Sequence, residues 1–284
     1  MAVNSQSTPE DFRSDSITAG ADHDLCFGDE LASGRFKILG VGVSPVQVPQ
    51  VVAQMESWIQ KRDRCRYIAV TGMHGITEAQ YDPQFRHVLN SADLVVPDGM
   101  PLVWLGRRRG LPLRRRVYGP ELMTAVYANG LTHGFRHFLY GGGAGTADRV
   151  AVALRERFSG IQIVGTLSPP FRPLTTEEDA AHISMINESR ADVVWVSLSE
   201  IKQDTWMFGH RDRLNVPALV GIGAAFDFFA GLKRQAPEWM RDSGFEWLFR
   251  LLQEPRRLWR RYLVYGSRFV YLVALEELGI RKWD

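Results

Sequence analysis

Short apolar runs alternate with amphipathic stretches of helical length through most of the chain. The apolar runs are Phe36 to Val43, Tyr67 to Thr71, Asp93 to Val96, His137 to Tyr140, Ile161 to Gly165, Asp192 to Leu198 and Pro217 to Ile222. Each is short and rich in β-branched or aromatic residues, which predicts strands. Between most of them lie Val48 to Lys61, Pro83 to Ser91, Pro120 to Leu131, Thr146 to Phe158, Thr175 to Ser189 and Gln203 to Leu214, whose spacing predicts helices. Strand followed by helix, repeated, predicts an α/β fold: a Rossmann-like parallel sheet flanked by helices on both faces. Such sheets bind ligands beyond the carboxyl ends of their strands, so functional residues are expected just after each apolar run.

The alternation stops after Gly231. Residues 237–284 are dense in Trp, Phe, Leu, Tyr and Arg and predict two or three helices, with Pro255 breaking the pattern. Residues 1–34 are rich in Ser, Thr, Asp and Gly and predict a flexible tail. The expected organisation is therefore a tail over 1–34, an α/β core over 35–236, and a basic amphipathic helical appendage over 237–284.

Composition adds little to this picture. The 284 residues are 45% hydrophobic and 23% charged with a formal net charge of +2, as in an ordinary globular protein. No window reaches the ~18 uninterrupted apolar residues of a membrane span, and the polar N-terminus does not resemble a signal peptide. Cys26 and Cys65 form no C-x-x-C pair, so structural zinc is not expected and a reduced cytoplasmic setting is.

The strand exits carry the candidate chemistry. Tyr140 leads into Gly141, Gly142, Gly143, Ala144, Gly145 and Thr146 before a helix, a turn whose amides suit a phosphate. No acid stands near the end of the following strand, where a dinucleotide site would carry one, so an NAD-type cofactor is not expected. Asp98 follows the run Asp93 to Val96; it fits a general base in the crevice or a helix cap, and spacing alone favours the cap. Asp227 follows another glycine-containing exit and fits a sugar or ribose contact as well as it fits a cap or an arginine pair. His74, just after Thr71, fits a catalytic or hydrogen-bonding group, though a lone histidine is more often structural. Arg107, Arg108, Arg109, Arg114, Arg115 and Arg116 place six guanidinium groups within ten residues. Such a run usually faces solvent, yet its place beside the Asp98 segment suits a diphosphate contact. No nucleic-acid motif accompanies it, so no nucleic-acid partner is expected. From Arg241 to Arg261, six arginines face three carboxylates among exposed-type aromatics, a pattern suited to an anionic membrane surface. The one D-x-D pair, Asp22 and Asp24, falls in the tail, so no metal is expected.

Several strings then fit one family in order: Val96-Pro97-Asp98-Gly99-Met100-Pro101, Arg116-Val117-Tyr118-Gly119-Pro120-Glu121-Leu122, Leu139-Tyr140-Gly141-Gly142, Lys202-Gln203-Asp204-Thr205-Trp206 and Gly223-Ala224-Ala225-Phe226-Asp227. Ala230-Gly231, Ala236-Pro237-Glu238-Trp239 and Glu246-Trp247-Leu248-Phe249-Arg250 through Glu254-Pro255-Arg256-Arg257 continue the series. From about Phe36 to Tyr262 the chain resembles the bacterial TagA/WecG/CpsF glycosyltransferases, which serve teichoic acid, enterobacterial common antigen and exopolysaccharide synthesis.

The resemblance implies an inverting, metal-independent transferase without a cofactor. It would move a sugar from a UDP-sugar to a polyprenyl-diphosphate-linked acceptor at the inner face of the cytoplasmic membrane, as a peripheral protein. It also implies Asp98 as general base and Arg116 on the diphosphate, with Thr71, Gln203 and Asp227 lining the donor pocket. His74, Gly141, Gly142 and Gly143 join that donor set from their strand exits. Arg250, Arg256, Arg257, Arg260 and Arg261 are implied to meet the lipid diphosphate. Two segments depart from the family pattern. Thr71-Gly72-Met73-His74 lacks the usual asparagine, and Ser197 to Asp204 lacks the usual glycine- and proline-containing lead; both bear on donor identity, and the second on whether activity is kept. The alternatives are a non-catalytic, membrane-associated nucleotide-sugar binder and a nucleotide-dependent oxidoreductase. Oligomeric state stays open, a homo-oligomer included.

Overall fold

The computed structural model describes residues 34–283. The expected tail lies outside them except for Gly34, as do Asp22, Asp24 and Cys26.

The first apolar run folds back on itself instead of forming one strand. β1 (Phe36–Ile38) and β2 (Val41–Val43) pair antiparallel around Leu39 and Gly40. Their φ values of 50° and 75° give the two-residue turn that matches strand twist in a hairpin. A leucine in this region is costly. Here its side chain is fully buried and its amide donates to Glu276 Oε1 at 3.0 Å.

The main sheet holds β3 (Arg66–Thr71), β4 (Leu94–Pro97), β5 (Arg136–Gly141), β6 (Gln162–Leu167), β7 (Val193–Ser197) and β8 (Ala218–Gly221). The order is β4-β3-β8-β7-β5-β6 and every pairing is parallel. Apart from edge strand β6 these strands are buried on both faces, which explains why they read as continuous apolar runs. Tyr67, Ala69, Val194 and Val196 pack in one core layer, while Ile68, Val70, Val193 and Trp195 pack in the layer on the opposite face. The chain steps outward from β3 to β4, crosses to β5 and β6, and returns through β7 and β8 to the middle. Connections leaving in opposite directions open a crevice beyond the carboxyl ends of the central strands.

The helix Val48–Lys61 has the expected limits, and Pro83–Asn90 starts where Asp82 accepts from the amides of Gln84 and Phe85. The helix expected from Gln203 begins earlier, at Glu200, and ends at His210. Two short helices, Met73–Glu78 and Ala225–Phe229, escape the periodicity argument because five or six residues span under two turns.

Beyond the sheet the chain forms Glu238–Asp242, Glu246–Gln253, Pro255–Trp259, a π-helical turn Arg260–Tyr265, and Gly266–Glu277. Pro255 does not merely interrupt this region. It opens a new helix, where its missing N–H costs nothing. Among the described residues no helix is long and apolar enough to cross a membrane.

Candidate active site

Asp98 is fixed by its backbone. Its amide donates to Thr71 O at 2.8 Å, tying the exits of β3 and β4 together. Gly99 follows at φ +152°, a conformation that favours glycine. A Cβ on Gly72 would approach the Asp98 carbonyl to 2.6 Å, so the two loops need glycine to lie this close. The cap reading of Asp98 does not hold, because the helix Met100–Arg108 takes Gly99 at its N-cap, without a side-chain cap bond.

Arg116 reaches the same point because Val117 N donates to Pro97 O at 2.8 Å. Its Nη1 lies 3.3 Å from Asp98 Oδ1, its Nη2 pairs with Glu246, and the guanidinium sits 4.2 Å over the Tyr118 ring. Burial pushes the Asp98 carboxyl up to about 6; Arg116 opposes this, and the charges of Glu246 and Glu200 add to it. The Asp98 side chain is still 32% exposed, so it is reachable from the crevice.

A second cluster gathers on Glu200, in the first turn of its helix. Arg261 Nη2 lies 2.7 Å and His74 Nδ1 3.1 Å from Glu200 Oε2, and Thr71 Oγ1 lies 3.4 Å from Oε1. Burial alone would raise this carboxyl. Arg261 and the His74 hydrogen bond outweigh it and hold the group at about 2, hence ionised. Asp204, one turn along, is fully buried and pushed well above the carboxylate range by that burial, with the Glu200 charge adding.

Two cavities meet at this place. The larger, about 790 Å³, runs past Gly142, Gly143, Gln203 and Asp227. The smaller, about 300 Å³, lies against His74, Arg116, Trp104, Trp247 and Val270. Asp98, Arg250 and Arg261 line both.

The expected site residues divide accordingly. Gly142, Gly143, Gln203, Asp227 and Arg257 line the larger cavity, and His74 and Arg116 the smaller. Of the expected donor set, His74 and Arg116 thus line a different cavity from Gly142, Gly143, Gln203 and Asp227. Arg257, expected toward the lipid, stands on the larger cavity beside Glu254, to which its Nε donates at 2.8 Å. Thr71 is fully buried and lines neither cavity; its hydroxyl faces Glu200. Gly141, Arg256 and Arg260 also line neither. Gly141 has a packing reason for its identity: at φ +124° any Cβ would collide with the backbone of Ser197.

Gln203 acts through its orientation, accepting from Gly223 N at 2.9 Å, while Asp227 pairs with Lys233 at 2.7 Å. The glycine turn offers fewer amides than its sequence promises. Gly142 N already donates to Ser197 O at 2.8 Å and Thr146 N to Gly143 O at 2.9 Å.

The arginine run has another role. Arg108 and Arg109 pair with Glu277, Arg109 also with Glu276, Arg115 with Asp242 and Arg116 with Glu246. Four of the six thus fasten the C-terminal helices to the core, although the run is otherwise largely exposed, as its sequence suggests. Glu200 and Glu246 were not singled out from the sequence. Glu246 stands between Phe245 and Trp247 and Glu200 follows Ser199 in a polar stretch, patterns that ordinary surface positions also show.

A crevice beyond a parallel sheet, with a poised carboxyl between two cavities and arginines around it, has the layout of a group-transfer site. The class is a glycosyltransferase: the chain belongs to the glycosyl transferase WecG/TagA/CpsF family, whose model matches residues 36–282. Among similar proteins is the N-acetylglucosaminyldiphosphoundecaprenol N-acetyl-beta-D-mannosaminyltransferase of Bacillus spizizenii strain W23, 27% identical over 217 residues, covering 76% of this chain and 82% of the relative. The protein of that name from Staphylococcus aureus strain MW2 is 24% identical over 251 residues, 88% of this chain and 96% of the relative. The oxidoreductase alternative falls with this family assignment.

Proposed function

We propose that this glycosyltransferase moves a sugar from a UDP-sugar to a sugar carried on a polyprenyl diphosphate, inverting the anomeric centre and using no metal. The observation that carries the reading is the position of Asp98 where the two cavities join. The larger has the volume and the glycine-lined mouth for a sugar nucleotide. The smaller, lined by Met100, Trp104, Trp247, Leu263 and Val270 together with polar groups such as His74, Arg116, Glu246 and Arg250, suits the acceptor sugar at the head of a lipid. The names of the relatives support such an acceptor.

In this scheme Asp98 takes the proton of an acceptor hydroxyl as that oxygen bonds to the anomeric carbon. The bond from that carbon to the diphosphate breaks on the opposite face, and UDP leaves with the electron pair. Arg250, Arg257 and Arg261 meet the charge that gathers there. One displacement inverts the centre. Holding both substrates in line supplies much of the rate.

The acceptor's lipid ties the reaction to a membrane surface, for which we assign the C-terminal helices. Trp239, Leu252, Trp259, Leu263, Val270 and Tyr271 are exposed there among arginines, a composition that suits an anionic interface. The inner face of the cytoplasmic membrane is the side where nucleotide sugars are made.

The test is a panel of UDP-sugars offered with N-acetylglucosamine on a short prenyl diphosphate, products read by mass spectrometry and anomeric configuration by NMR. An inverted disaccharide formed in the presence of EDTA is expected. A retained anomer, a requirement for added metal, or a protein that binds UDP and transfers to no acceptor would each remove part of the scheme.

A further inference from the structure

His74 stands in the first turn of Met73–Glu78 and lines the smaller cavity, while its hydrogen-bond partner Glu200 lines the larger. The two side chains form part of the wall between the cavities. Glu200 is ionised and can only accept, so the proton in the 3.1 Å bond belongs to His74 Nδ1. The ring is further fixed by an edge-on contact with Tyr265 at 4.8 Å. That leaves Nε2. Its acidic neighbour is Glu78 Oε1 at 3.8 Å, beyond hydrogen-bond reach.

Several other polar groups of this cavity are already paired. Arg116 is divided between Asp98 and Glu246, and Arg261 is tied to Glu200. Asp98 contacts one hydroxyl of an acceptor sugar, and one contact cannot fix a ring. A second, rigid polar contact is needed to turn the reacting hydroxyl toward the donor. Apolar walls such as Met100, Trp104 and Trp247 cannot supply it. His74 Nε2 can.

We infer that His74 binds the acceptor sugar through a hydrogen bond between Nε2 and a hydroxyl of that sugar, and that Glu200 is the positioning residue that holds the imidazole for it. This rests on the reading that the acceptor occupies the smaller cavity. It assigns the segment that departs from the family pattern to acceptor recognition, not to the donor.

The experiment titrates N-acetylglucosamine on a short prenyl diphosphate into the full chain saturated with UDP, acceptor affinity being read by calorimetry without turnover. UDP affinity, kcat and acceptor KM are measured alongside, with circular dichroism for folding. His74→Ala is expected to weaken acceptor binding by roughly tenfold, the loss of one buried hydrogen bond, and to leave UDP affinity within about twofold. His74→Gln, which keeps a polar atom at that reach, recovers part of the affinity and serves if the alanine variant does not fold. Glu200→Gln raises acceptor KM, and combining it with His74→Ala adds little further, since Glu200 acts through the ring. Additive losses would make Glu200 merely structural and overturn its positioning role. Unchanged acceptor affinity in folded His74 variants, or a loss confined to UDP, overturns the assignment of His74. Acceptor binding that depends on His74 in a wild-type protein without turnover would instead leave this site standing and remove the proposed reaction.

Discussion

Arg261 reaches Glu200 at 2.7 Å and thereby joins the π-helical turn of the C-terminal helices to the first turn of a core helix. A π turn shifts the residues after it around the helix axis, which is why such turns recur at functional sites. Here it carries Arg261 inward while its neighbour Arg260 stays exposed over Trp259. Arg116 with Glu246, Arg241 with Glu121 and Arg109 with Glu276 make further ties across the same junction. The C-terminal helices are thus part of the site wall, and both cavities depend on their docking.

Asp98→Asn keeps the shape and the Arg116 contact but removes the base. Turnover should fall by about a hundredfold or more, the range for losing a general base. UDP binding should persist. Activity within a few fold of wild type would remove Asp98 from the chemistry.

Because Asp98 must be ionised to accept a proton and titrates near 6, kcat/KM should rise with pH and level off above that value. Arg116 lowers this pKa, so Arg116→Gln should move the acidic limb to higher pH. The stability effect runs the other way. The native value exceeds the ordinary 3.8, so the stability Asp98 contributes is full below that pH and is lost as pH rises through about 6. An acidic limb that stays put in the Arg116 variant would count against the pair.

Glu200 has the opposite sign. Its native value of about 2 lies below the ordinary 4.5, so its contribution is present above 4.5 and lost as pH falls toward 2. Urea midpoints followed from pH 5.5 down to 3 should drop less steeply in Glu200→Gln than in wild type. Parallel curves would show that the cluster is not ionised as described.

Gly141→Ala meets both a φ of +124° and the Ser197 backbone. A loss of about 2 kcal/mol or more is expected, with the β5–β7 junction strained. A thermal melt within a degree of wild type would mean that the junction yields.

Arg256 and Arg260 line neither cavity, so their charges are free for a surface. Replacing both with alanine should weaken binding to vesicles rich in anionic lipid by roughly tenfold to thirtyfold, at about 1 kcal/mol per charge. UDP affinity should not change. Equal sedimentation with vesicles would detach this face from the membrane role.

The alternation of apolar and amphipathic segments was enough to determine a parallel sheet with helices on both faces, and to place the candidate chemistry at strand exits. That follows from local physics: a strand buried on both faces must be apolar throughout, and a helix against it must be apolar on one side. The strings around Asp98, Gln203 and Asp227 also identified the family without coordinates. Tertiary structure alone decided which polar residues meet. His74 and Glu200 are 126 positions apart, and Glu200 and Arg261 are 61 apart. Periodicity has no information at such separations, because pairing there depends on strand order and on how the C-terminal helices dock. The same reason explains why an exposed arginine run also clasps the C-terminal helices, and why His74 faces the smaller cavity. A residue's chemistry is written in the chain, but its partners are set by the path the chain takes back to it.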